Sequence, residues 1–302
     1  ENTFIVLVNA LQGNITQDMN SSIILGMRLP RTILSMLLGA GLAIAGSTYQ
    51  GIFRNPLVSP DVLGVSSGAG FGSVLGILLF GMSATTSILA FVFGLGSVFL
   101  TYLFARARGQ TTMMSLVLSG MIVSAIFAAL ISLVKYVADP YDTLPAITYW
   151  LMGSFSKATF EDLRYIFIPL AASLTVLNLV RWRINILSLG EEESKSLGIN
   201  PTRIKFIAII ASTVLTALSV TVVGIVGWVG LVIPHITRLL FGVDHKVLLP
   251  ASCFIGAIFL TVVDIVSRSV TSAEIPIGII TALLGAPFFG FLLKYTNQKG
   301  DW

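Results

Sequence analysis

Charged side chains are so few in this sequence that each one beside an apolar run is a candidate for chemistry. Of the fourteen carboxylates, two placements stand out, the triplet Glu191-Glu192-Glu193 and Asp264, followed four residues later by Arg268. Residues i and i+4 meet on one face of a helix, so Arg268 can pair with Asp264. The histidines, His235 and His245, have no cysteine or carboxylate at metal-ligand spacing. His235 follows Pro234, and carbonyls freed by a helical proline can satisfy its ring. Cys253 stands alone in an apolar run and reads as a small hydrophobe. No Gly-x4-Gly-Lys-Ser/Thr cradle for phosphates occurs, and no Ser/His/Asp set or mid-span pair of carboxylates. Nothing here supports catalysis, a resident metal or a cofactor, so the chain is expected not to be an enzyme. Ion-coupled carriers keep ionisable residues within their spans, and here only Asp264 qualifies. An ion-driven secondary transporter is therefore the second reading, and a conduit without its own engine the first.

Two stretches carry residues suited to a conduit. Asn55-Pro-Leu-Val-Ser-Pro60 breaks the chain, and behind it Gly64-Val-Ser-Ser-Gly-Ala-Gly-Phe-Gly72 opens a helix with four glycines and two serines. Small-xxx-small pairs such as Gly64/Gly68 and Gly72/Gly76 favour close helix packing, whereas Ser66 and Ser67 suit a solute path. The second stretch is a polar island, 187–201, where Gly190 and Gly198 bracket enough residues for two helical turns and Asn200-Pro201 forces a break. It reads either as a short surface helix offered to a soluble partner or as a solvated loop.

The elements that must position these residues are membrane helices. The 302 residues are 55% hydrophobic and 11% charged, with mean hydropathy +0.92, where a soluble domain carries about 25% charge. Nine runs approach the length that spans hydrocarbon: 33–52, 62–80, 86–105, 111–134, 165–180, 206–223, 224 to about 240, 247–266 and 275–293. The break around Gly224-Ile-Val-Gly227 is marked only by glycines. The apolar run 4–11 is too short to cross, and with Glu1 at the start it suggests a missing first helix. Twelve Lys and Arg fall in the loops on one side and six on the other, which places the polar island and the C-terminus in the cytoplasm. The six are Arg28, Arg31, Lys135, Lys157, Arg164 and Arg268. On that outer side, 135–164 is a long loop in which 147–155 reads as a re-entrant or surface helix or as a packed loop.

Six motifs in order then carry a resemblance: Arg28-Leu-Pro-Arg-Thr32, Gln50-Gly-x-x-Arg-Asn-Pro-Leu57, Leu63-Gly-Val-Ser-Ser-Gly-Ala69, Gly230-Leu-Val-Ile-Pro-His235, Asp244-His-Lys-Val-Leu-Leu-Pro250 and Glu274-Ile-Pro-Ile-Gly278. From about Arg28 to Leu293 the chain resembles the permease subunit of ABC importers for ferric siderophores, haem and vitamin B12, the FecCD-like family. The resemblance implies an all-α, ten-helix permease in a bacterial or archaeal cytoplasmic membrane, a single transmembrane domain over 1–302. The nine runs match the family's second to tenth helices. It implies a homodimer with the pore on its two-fold axis, two ATP-binding subunits and a periplasmic or lipid-anchored binding protein, with no nucleic acid. ATP would be bound by the partner subunit. The island, within 187–205, becomes the coupling segment, with Gly190, Glu191, Glu192, Glu193, Leu197 and Gly198 against the ATPase. Glu192 to Gly198 keeps the Glu-x5-Gly skeleton of the importer coupling motif, while Glu193 and Ser194 replace its two alanines. Arg28, Arg31 and Arg268 fall at positions that meet the binding protein, with Arg28 and Arg31 the better anchors if Asp264 engages Arg268. Met113 and Met114 stand near the cytoplasmic gate, where apolar plugs can exclude water. A ferric siderophore is the first expectation for substrate, with haem, cobalamin or molybdate and tungstate as alternatives.

Overall fold

Arg31, Ser35, Gly39, Ala43, Ser47 and Gly51 recur every fourth residue, and such residues share one helix face. The computed structural model describes residue 6 and residues 19–106, 112–271 and 273–299. The helices are α1 (Met19–Ile23), joined through a π-turn (Ile24–Arg28) to α2 (Leu29–Phe53), then α3 (Val65–Phe80), α4 (Ala84–Ala105), α5 (Met113–Val137) and α6 (Thr143–Met152). They continue with α7 (Phe160–Leu189), α8 (Glu191–Ser196), α9 (Pro201–Val223), α10 (Val229–Phe241), α11 (His245–Ser269) and α12 (Ile277–Lys299). A short 3-10 turn, Pro60–Leu63, precedes α3. No strand occurs among the described residues.

The fourfold stripe of α2 is its seam with antiparallel α11. Arg31 meets Asp264 at one end, Ser35 Oγ lies 3.1 Å from Thr261 Oγ1, and Ser47 Oγ donates to Ser252 Oγ at 2.8 Å. Midway, a Cβ on Gly39 would stand 2.3 Å from the Gly256 carbonyl oxygen, and one on Gly256 2.4 Å from that of Gly39. The two backbones approach so closely because neither helix carries a side chain there. Gly68, Gly72 and Gly76 of α3 do the same against Phe93, Leu89 and Thr86 of α4. The packing reading of these glycines holds. Gly64 instead has φ +81 and turns the chain into α3, a conformation that suits glycine.

The glycine-marked boundary is a true break. Gly224 (φ +80) ends α9, Trp228 (φ +70) caps α10, and the chain between them is unwound. Beside the break, Ser154 N–H donates to Val223 O, the last carbonyl of α9, at 2.8 Å, and Ile277 N–H donates to Gly153 O at 2.9 Å. Both bonds run through the end of α6. That helix starts at Thr143, ahead of the expected 147, because Asp139 Oδ1 accepts from the N–H groups of Tyr141 and Asp142 and turns the chain into it. With Ile147 fully buried, α6 is a packed helix rather than a loose surface segment.

Among the described residues, six helices are long and apolar enough to cross a membrane: 21–53, α4, α5, α7, α9 and α11. The shorter apolar α3, α10 and 277–291 complete the nine expected runs. Helix α7 overshoots its apolar window, 165–180, at both ends. It begins with the Thr159/Asp162 capping box and runs to Leu189, carrying Arg181 and Arg183. A helix needs no apolar residues where it leaves hydrocarbon. Residue 111 and, apart from Val6, the run 4–11 lie outside the described residues.

Candidate functional site

The polar island folds as expected into a short helix, and the structure shows what holds it. Gly190 and Gly198 flank α8, and Gly198 takes φ +76 to reverse the chain. Ser194 is fully buried, its hydroxyl bonded to the carbonyls of Ile186 (3.1 Å) and Gly190. The position therefore tolerates only a small side chain, which explains a serine where importer coupling motifs carry alanine. Ile186, Leu187, Ile199 and Ile204 form a small core beneath it. Asn200 caps α9 by accepting from Arg203 N–H at 3.1 Å.

On the solvent side, Lys195 pairs with Glu192 at 2.8 Å, and Lys205 reaches back from α9 to Glu191. The hydrogen bond and charge of Lys205 hold the Glu191 carboxyl below its usual range, and the bond from Lys195 to Glu192 raises the Lys195 ammonium. Leu197 is 58% exposed, an apolar side chain held out beside three carboxylates. The first loop is tied to the same place. Arg54, with left-handed φ 49, ends α2 and donates through Nε and Nη2 to Leu187 O at 3.1 and 2.7 Å. It thereby neutralises the C-terminal carbonyl end of α7.

At the other end of α2 lies a cleft of roughly 660 Å³ lined in part by Arg28, Arg31, Lys157, Arg268 and Glu274. Here the expected division of labour is reversed. Arg31, expected as an anchor for a binding protein, pairs with Asp264 at 2.8 Å and Glu274 at 2.9 Å, with its side chain 11% exposed. Arg268 approaches Asp264 only to 3.8 Å. The cause is the glycine crossing of α2 and α11, which brings Arg31 across to Asp264 more closely than the i,i+4 neighbour reaches. Arg31 is a structural clamp. Arg28 and Lys157 stand exposed at this cleft, and Arg268 is half-buried.

The pathway residues divide in the same way. Ser66 is buried and donates to Asp61, so its hydroxyl serves the turn before α3; Ser67 is half-buried. Met113 packs against the main core, while Met114 is exposed. Both sit in the first turn of α5, which Thr112 caps by accepting from Ser115 N–H at 3.1 Å. Sequence reasoning missed Glu274 as a partner of Arg31, Asp61 as the partner of Ser66, and Arg54 as the tie to the island. The fourfold small-residue stripe of α2 was the available signal for the first.

Comparison with known proteins places the whole chain. The sequence profile of the FecCD transport family matches residues 2–295. The molybdate import system permease protein MolB of Haemophilus influenzae is 43% identical over 282 residues, covering 92% of this chain and 82% of MolB. An iron chelatin transport system permease protein of Helicobacter pylori is also 43% identical, over 277 residues, covering 92% and 84% of the two chains. A solved metal-chelate type ABC transporter in an inward-facing conformation superposes with TM-score 0.87 at 40% identity, covering 97% of each chain.

Proposed function

The chain belongs to the FecCD transport family and is a multi-pass membrane permease subunit of an ABC importer; from that premise we propose how its two ends divide the work. The end bearing α8 faces the cytoplasm and receives an ATPase subunit, which binds ATP; Gly190, Glu191, Glu192, Glu193, Leu197 and Gly198 form the coupling surface. Two copies of the chain enclose the pore, with Met113 and Met114 at its cytoplasmic mouth. The opposite end receives a binding protein through Arg28, Lys157 and Arg268. The C-terminus lies in the cytoplasm, on the side with twelve of the eighteen Lys and Arg. The observation that carries this reading is α8 itself, a short helix seated on its own small core with Leu197 held outward.

The substrate we propose is a metal chelate of the ferric siderophore type. Equal identity to MolB favours a second reading, an oxyanion such as molybdate. The test is uptake by proteoliposomes containing the permease, its ATPase subunits and binding protein, with labelled ferric chelate or molybdate outside. ATP-dependent accumulation of the chelate is expected. Accumulation of molybdate alone replaces the substrate, and uptake that follows an ion gradient without ATP overturns the whole reading.

A further inference from the structure

A second cleft, of roughly 300 Å³, opens beside α8. Gln50, Gly51, Arg54, Asn55, Pro56, Ser188, Arg238, Val243 and His245 line it. Gln50 is 3% exposed and His245 7%. Gln50 Oε1 accepts from Arg238 Nη2 at 2.8 Å, which leaves Gln50 Nε2 and Arg238 Nη1 buried without a partner. His245 Nε2 is also buried without a partner, and Gly51 makes room for it, since a Cβ there would stand 2.4 Å away.

The histidine tautomer follows from its neighbours. Asp244 can only accept, so the Asn185 amide turns its NH2 toward Asp244 and its oxygen toward His245. That oxygen accepts from His245 N–H and lies 2.8 Å from Nδ1. Nδ1 therefore carries a proton, and Nε2 faces the cleft as a lone-pair acceptor, so the open donors there are Gln50 Nε2 and Arg238 Nη1. Asp244 itself is held below the usual carboxylate range by Lys246 N–H and the Asn185 amide, so its charge is already engaged. Among the described residues no carboxylate lines the cleft, while two guanidinium groups do.

Buried donors left without partners cost free energy unless a ligand completes them. The site asks for one compact anion reaching past Pro56 and Val243 to the recessed amide and guanidinium. Resting on the reading that α8 docks an ATPase, we propose that this cleft receives one Asp or Glu side chain of the ATPase subunit, its carboxylate bound by Arg238 and Gln50. Two observations favour a protein over other anions. One face of a six-residue helix, about 9 Å long and about 10 Å wide, presents on the order of 100 Å², far short of the roughly 800 Å² per partner of a stable interface, so adjoining surface must take part. Arg54 joins the two, lining the cleft while holding Leu187 O beneath α8.

The test titrates the cognate ATPase subunit onto the permease in phosphatidylcholine nanodiscs, with and without phosphatidylglycerol. Arg238→Gln is expected to weaken docking about thirtyfold, as for a desolvated charge pair. Val243→Trp plugs the mouth from a position 70% exposed; it should also weaken docking without disturbing the fold, and it decides the matter if Arg238→Gln fails to fold. Amide replacements of single Asp and Glu residues on the ATPase should find one whose loss is not additive with Arg238→Gln. Wild-type affinity in the folded variants, or additivity with every acid, overturns the proposal. A loss confined to discs containing phosphatidylglycerol assigns the cleft to a lipid phosphate and overturns it too. Leu197→Asp in the same titration separates the readings. If only Leu197→Asp weakens docking, the cleft proposal fails alone; if Leu197→Asp docks normally, the coupling reading itself fails.

Discussion

The two ends of helix α2 hold similar charges and use them in opposite ways. At its start, Arg31 is buried between two carboxylates, Asp264 of α11 and Glu274 of the segment before α12, with Arg268 3.8 Å from Asp264 as the second cation. At its end, Arg54 is engaged by Leu187 O, while Gln50 Nε2 and Arg238 Nη1 stand in a cleft without an acceptor, and α8 carries its carboxylates in solvent. A buried charge must be matched within the chain or the fold suffers. A guanidinium that meets no carboxylate at a surface cleft asks for a match from outside. Charge content alone does not separate a clamp from a contact site; the carboxylates within reach do, two around Arg31 and none lining the cleft.

Breaking the clamp is the harshest test of that contrast. Asp264→Ala leaves Arg31 buried with only Glu274, and losing one partner of a buried pair costs about 3–5 kcal/mol. Thermal unfolding in detergent should show the loss, while ATPase docking to the protein that remains folded stays unchanged. If unfolding is unaffected, Arg31 is not a clamp and returns to the docking set. The corresponding change at the other end is Leu197→Asp. An exposed apolar anchor at an interface is worth about 2 kcal/mol, so docking should weaken about thirtyfold with no change in thermal unfolding. An unfolding shift there would make Leu197 part of the fold and erase the contrast.

Much of this was legible in the sequence. All nine apolar runs are helices, and the break at Gly224 stands where glycines marked it, because membrane helices declare themselves by length and hydropathy. The island was legible as a helix from Gly190, Gly198 and Asn200-Pro201, since each acts locally on the backbone. What the sequence hid was the closer partner. Asp264 was read with Arg268, which it meets at 3.8 Å, but its shorter contact is with Arg31, and that distance is set by a crossing of two helices more than two hundred residues apart in the chain. Nothing local shows that Asp61 accepts from Ser66. Gln50 and His245 lay in two of the motifs and Arg238 between two of them, all without a role, since their shared cleft exists only once α2, α10 and α11 are packed.

A milder test contrasts matched and free cations at the clamp end. Arg28→Glu with Lys157→Glu reverses two exposed charges and leaves Arg31 alone. Such rim charges contribute about 0–1 kcal/mol each and act mainly on association. Binding-protein docking, followed by stopped flow, should slow severalfold at low salt and lose its ionic-strength dependence, with unchanged thermal unfolding. Rates equal to wild type at low salt would return both residues to the lipid surface.

The smallest expected effect lies on α8 and concerns pH. Lys205 holds the Glu191 carboxyl below its usual range, so the folded state favours the charged form. Stability from a depressed carboxyl is fully present above the unfolded pKa of about 4.3 and is lost as pH falls through the lower folded value. Glu191 is 56% exposed, so solvent screening limits the contribution to a few tenths of a kcal/mol. The loss should therefore be invisible in global unfolding and confined to local opening of α8. Amide exchange at residues 192–198, corrected for intrinsic rates, should quicken less than twofold between pH 6 and pH 4, and Glu191→Gln should remove that difference. Undiminished quickening in Glu191→Gln would mean that the tie from Lys205 does not hold α8, and the prediction would fail.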